Sequence, residues 1–191
     1  MSRVLVPLAE GFEEIEAVTV IDLLRRAGIE VVTAALVPGP VTGSHGIVLH
    51  PDTDIDAALE QRFDMMVLPG GMPGAANLGD DDRVIGLLRL FADSDRFTAA
   101  ICAAPGVLAK AGLLAGKRAT SFPGFLTPDN APGSTLVEEP VVEDGKVITS
   151  RGPGTAMDFA LALVQRLEGA GARREVEARL QRPAPPPPSE G

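Results

Sequence analysis

The chain holds one cysteine, and its setting could make it a nucleophile. In Thr98-Ala-Ala-Ile-Cys102-Ala-Ala-Pro-Gly106 an apolar, strand-like run gives way within two residues to a helical pattern. A nucleophile on such a turn projects beyond the sheet, among the first N–H groups of the new helix. Those N–H groups and the helix dipole favour a thiolate, so the thiol pKa is expected to fall. Ala103 and Ala104 leave the turn uncrowded. The competing reading is a buried structural thiol, since free cysteine is among the most buried residue types.

Two further junctions carry residues that could serve such a thiol. Leu68-Pro-Gly70-Gly71-Met-Pro-Gly74 sets two glycines directly after an apolar run. Glycines there suit close backbone approach or positive φ. The Gly71 N–H, with that of Ala103, could form an oxyanion hole; an ordinary glycine turn is the alternative. Glu10-Gly-Phe-Glu13-Glu14-Ile-Glu16 opens a helix with acids. Surface acids there would simply complement the helix dipole. Glu16, on the inward boundary, could instead lie buried beside Cys102. Its pKa would then rise, and it could carry a proton.

Alternating elements must position these junctions. Residues 3–8 read as a buried strand. A helix follows, with Ile15, Val18, Ile21 and Leu24 at helical spacing and Arg25-Arg26 before the stop at Gly28. Residues 29–36 return to strand, completing a βαβ unit. Residues 41–50 suggest a small hairpin excursion and 55–60 a short helix. Strands are expected at 63–68 and 97–101, and a helix from Asp80–Asp82 through Phe91. A helix is expected at 103–111, weaker strands at 117–121 and 134–138, and a hairpin around Asp144-Gly145. Thr155 to Leu167 should form a helix with Ala156, Phe159, Ala160, Leu163 and Leu167 available for its core face. The pattern implies an α/β fold with a mostly parallel sheet covered on both faces. Ligands in such folds bind at the carboxyl ends of the strands, where the three junctions lie. One domain over 1–170 is expected, then a polar helix at 171–182 and a proline-rich tail at 183–191.

Bulk properties exclude several classes. A net charge of −9 and the absence of Trp and Tyr argue against nucleic-acid binding. No apolar run suits a membrane span, and the N-terminus lacks a signal-peptide layout. One cysteine cannot form an intramolecular disulfide, which fits a reducing cytoplasm. No zinc pattern, phosphate loop or dinucleotide fingerprint is present, so no metal and no cofactor is expected. His45 and His50 read as incidental polar residues of the excursion.

Together, EGFEEIE, LPGG, AAICAAPG and SRGPGTAMDFAL make the chain resemble the DJ-one/ThiJ/PfpI superfamily over about residues 3–168. The resemblance implies a flavodoxin-like three-layer α/β sandwich, dimeric in most members. It implies Cys102 as the reactive cysteine, Glu16 as its protonated partner, and Gly71 and Ala103 as backbone donors. It adds Gly70, Arg26, Phe122, Arg151 and Pro153 as residues lining the site or a dimer contact. Many members carry a histidine near the cysteine; here Phe122 occupies that place in ATSFPGF, which weakens a Cys-His peptidase. The leading expectation is a cofactor-independent enzyme on small reactive carbonyls, of the glutathione-independent glyoxalase or deglycase type. A thiol redox sensor or stress chaperone, and a hydratase or hydrolase of another small electrophile, are the alternatives.

Overall fold

A computed structural model describes residues 1–182; the proline-rich stretch at 183–191 lies outside the described residues. The chain runs β1 (Arg3–Leu8), α1 (Glu14–Arg26), β2 (Glu30–Ala35), β3 (Val41–Thr42), β4 (Val48–Leu49), β5 (Thr53–Asp54), α2 (Ile55–Leu59) and β6 (Met65–Leu68). It continues α3 (Gly74–Asp80), α4 (Asp82–Asp93), β7 (Phe97–Ile101), α5 (Pro105–Lys110), β8 (Arg118–Ala119) and β9 (Thr135–Leu136). It closes with β10 (Val141–Asp144), β11 (Val147–Ser150) and α6 (Ala156–Arg179). The central sheet has the order β10-β11-β7-β6-β1-β2-β5 and is parallel except for β10.

The strand order explains the layers. From β1 the chain steps one way to β2, and from β6 the other way to β7. Right-handed crossovers then put α1 on one face and α3, α4 and α5 on the opposite face. Accordingly α1 packs on α6, while α3 packs on α4 and α5. Covered on both sides, β1, β6 and β7 are continuous apolar runs, fully buried from Val4 to Val6, Met65 to Leu68 and Ala99 to Ile101. Phe12, Phe91 and Phe159 fill the largest spaces between sheet and helices. The direction of chain progress reverses between β1 and β6, so the crevice of the fold opens at their carboxyl ends.

Several elements depart from the sequence reading. The inward face of α1 is Ala17, Val20, Leu23 and Leu24 with Glu16, whereas Ile15 and Val18 face outward. The apolar positions form two stripes on this helix, and periodicity alone does not say which meets the sheet. Helix α3 has no apolar signature, because glycine and alanine let it pack close to Gly11 and Phe12. Asp80 ends α3; Asp81 is the cap of α4, its Oδ1 accepting from Arg83 N–H at 2.9 Å. After α6 turns at Gly169 (φ 86°), a second helical segment runs to Arg179. Among the described residues no helix is long and apolar enough to cross a membrane.

Candidate functional site

Cys102 sits at φ 66°, in the left-handed region that non-glycine residues rarely adopt. Such a residue stores strain and needs neighbours that over-determine it. Its N–H donates to the Ser150 carbonyl at 3.0 Å, and its own carbonyl accepts from Phe122 N–H at 2.9 Å. Behind it, Ala104 N–H closes onto the Ile101 carbonyl at 3.1 Å. In this turn the residue remains only 9% exposed.

Glu16 arrives from α1 and is completely buried. Its Oε2 accepts the Gly70 N–H at 2.8 Å. Its own N–H donates to Glu13 Oε2 at 2.8 Å, while Glu13 N–H donates to the Gly70 carbonyl at 2.9 Å. This knot ties the start of α1 to the loop after β6. Oε1 is buried without a hydrogen-bond partner, and the carboxyl as a whole lies close enough to the Cys102 thiol for each to shift the other's proton affinity. Gly70 permits the approach: a Cβ there would lie 2.6 Å from Cys102 Cβ and 2.7 Å from Glu16 Oε2. Gly71, at φ 88°, aims its N–H with that of Ala103 at the sulfur.

The electrostatics follow from burial. Desolvation pushes the Glu16 carboxyl up to about 7, outweighing the Gly70 and Cys102 hydrogen bonds that oppose it. Burial, and then the charge and hydrogen bond of Glu16, push the Cys102 thiol up to about 12. The N–H groups of Gly71 and Ala103 pull the other way without prevailing. The expected fall in the thiol pKa is therefore corrected: the helix-end donors are present, but a dry site beside an ionised carboxylate costs the thiolate more.

The remaining residues divide. Phe122 is next to the site through its backbone; its half-exposed ring packs against Gly152 and edge-on to Phe125 at 6.2 Å. Arg151 follows the strand that receives the Cys102 N–H and turns into a neighbouring cavity. Pro153 starts a short 3-10 turn closed by Thr155. Arg26 is not part of the cysteine site: ten residues along α1, about 15 Å by the helical rise, it pairs with Asp22 at 2.6 Å. Glu14, read from sequence only as a first-turn acid, is a clamp. Its Oε1 accepts the His45 N–H at 2.6 Å and the Ile47 N–H at 3.3 Å; its Oε2 meets His45 Nδ1 at 3.0 Å. Against the upward push of burial, these bonds hold Glu14 down to about 2. His45 thus anchors the excursion; only its distance in sequence from Glu14 hid this.

A raised carboxyl has a consequence for stability. Folded Glu16 keeps its proton to about 7, whereas its ordinary value is 4.5. Its contribution is complete below 4.5 and is lost as pH rises from there through about 7. Urea unfolding between pH 4.5 and 8 should show a falling midpoint, with a shallower fall in Glu16→Gln. Equal slopes in the two proteins would refute the buried, proton-holding carboxyl.

A strained cysteine directly after β7 of the parallel sheet, beside a buried glutamate from the first helix, can be compared with known proteins. Protein dj-1beta of Drosophila melanogaster is 44% identical over 173 residues, which cover 90% of this chain and 92% of that protein. The crystal structure of Drosophila melanogaster DJ-1beta superposes with a TM-score of 0.91 at 42% identity, over 96% of this chain and all of that one. Glutathione-independent glyoxalase DJR-1.2 of Caenorhabditis elegans is 36% identical over 84% of this chain and 85% of its own. Some relatives are longer: the match spans 38% of Protein DJ-1 homolog B of Arabidopsis thaliana, at 41% identity. The DJ-1/PfpI family pattern matches residues 2–166, and with these relatives on either side of the animal–plant divide the chain belongs to the DJ-1/PfpI family.

Proposed function

We propose that this protein is a cysteine-dependent enzyme that needs no cofactor and converts small reactive carbonyls, methylglyoxal first, into hydroxy acids without glutathione. The observation that carries the reading is Glu16: a buried carboxyl with a pKa of about 7 facing a thiol on a strained turn. A general base is most useful with a pKa near the working pH. The relative named as a glutathione-independent glyoxalase supports the same reaction class.

The chemistry follows from the groups at hand. Ionised Glu16 accepts the thiol proton as Cys102 Sγ bonds the aldehyde carbon, so no standing thiolate is required. The N–H groups of Gly71 and Ala103 hold the developing oxyanion, and the proton returns to it to give a hemithioacetal. Glu16 then removes the C–H proton from that carbon and delivers it to the adjacent one, while the hydroxyl proton passes from the first oxygen to the second. The product is a lactoyl thioester on Cys102. Water cleaves it, releasing lactate and restoring the thiol. A deglycase would use the same attack on a carbonyl adduct.

Purified protein given methylglyoxal without glutathione should form lactate. Cys102→Ser should abolish it, and Glu16→Gln should lower it by roughly 100-fold or more, the usual contribution of acid–base catalysis. Lactate formation that survives Cys102→Ser would sink the mechanism.

We also propose a homodimer. Ile15 and Val18 of α1 are exposed, as are Ile47 and Val48 of the hairpin that Glu14 clamps to the same helix end. Such a patch suits a second copy of this surface across a two-fold axis. Sedimentation should give a dimer for the native chain and a monomer for Ile15→Glu/Val18→Glu; a monomeric native chain overturns the proposal.

A further inference from the structure

A second feature beside Cys102 speaks to the substrate. In the sheet, Ser150 is the register partner of Ile101. Cys102 N–H donates to the Ser150 carbonyl, so the Arg151 backbone follows directly beside the reactive turn. Its side chain enters a cavity of about 270 Å³ lined also by Thr120, Ser121, Pro123, Leu136 and Glu138. Ser121 and Pro123 flank Phe122, whose N–H holds the Cys102 carbonyl. The cavity therefore lies beside the backbone segment that holds the reactive turn.

The guanidinium there is under-used. Arg25, Arg26 and Arg83 each hold a carboxylate within 2.9 Å. Arg151 instead donates from Nη1 to the Glu138 carbonyl at 3.2 Å, and the Glu138 carboxylate stands off at 3.7 Å with its side chain 92% exposed. A pair so wetted is weak, and an arginine has five N–H donors in a planar fork suited to carboxylate or phosphate. The chain as a whole carries −9, a field that repels anions. A cation kept half-buried one strand from the nucleophile opposes that field locally.

We infer that the Arg151 cavity is an anion-binding subsite, and that the substrate is a reactive carbonyl bearing a carboxylate or phosphate. The anionic group docks on Arg151 while the carbonyl meets Cys102 Sγ. This deepens the carbonyl-enzyme reading and rests on it for the word substrate; the subsite itself does not depend on turnover.

Alkylation of Cys102 tests it, since iodoacetate and iodoacetamide differ mainly in charge. The ratio of the two rates, followed by intact mass, is the readout, so any general change in thiol reactivity cancels. The native ratio should exceed that of Arg151→Met roughly tenfold, about the worth of one charge-assisted contact, with Arg151→Lys between them. Added inorganic phosphate or acetate should slow iodoacetate but not iodoacetamide in the native protein, and the stronger competitor names the preferred anion. Equal ratios in native and Arg151→Met overturn the subsite. If Arg151→Met does not fold, a native ratio unmoved by both anions overturns it as well. A protein that keeps the ratio but forms no lactate retains the subsite and loses the glyoxalase reaction; lactate with an unaltered ratio removes the subsite alone.

Discussion

The site depends on placing one carboxyl group, that of Glu16, wholly out of water. A buried carboxylate without full compensation is expensive, and the protein meets the cost by letting the group hold its proton to about neutrality. The hydrogen bonds from Gly70 and the Cys102 thiol hold it in place without supplying enough donors to keep it ionised. This partial satisfaction is the functional point. Glu14, two residues earlier, receives several donors and is held at about 2, where it can serve only as an anchor. Two acids in the same helical turn thus take opposite roles through the number of N–H groups each receives.

The backbone makes this placement available. Cys102 adopts a left-handed conformation only because the Ser150 carbonyl, the Phe122 N–H and the turn behind it all agree. Gly70 is required where three chains converge, since any side chain there would enter both the thiol and the carboxyl. The right-handed crossovers bring α1 and the β6 and β7 loops to one end of the sheet from opposite faces. Strain at one residue is therefore held by the packing of the whole sheet.

Much of this was legible in sequence. The three loops announce themselves because glycine, acid and cysteine each stand directly after a buried strand, and the fold rule says that such ends converge. What escaped has a common cause, since it rests on pairings across distance or on the difference between two apolar stripes. Ile15 and Val18 have the spacing of a core face but point outward, and α3 is made of residues whose virtue is smallness. The Glu14–His45 clamp joins positions 31 apart. The thiol pKa escapes for a related reason: sequence displays the helix start that stabilises a thiolate, whereas the dryness that opposes it belongs to the assembled core.

These two raised pKa values, taken together, explain how the site can manage with Phe122 where a histidine might have stood. An imidazole is useful to a thiol because it accepts a proton near neutrality. Glu16 does the same at about 7, having reached by desolvation the proton affinity that histidine has by nature. In the proposed reaction a thiol pushed to about 12 would need a base at the moment of attack rather than beforehand, and Glu16 stands where that base is needed. The arrangement differs from a cysteine–imidazolium pair in one respect. Once protonated, Glu16 is neutral, so in the reaction proposed above no cation would remain to hold the developing oxyanion, and that work would fall to the N–H groups of Gly71 and Ala103. If the proposed reaction holds, such a site would suit substrates that carry their charge away from the dry pair and keep only the carbonyl against the sulfur.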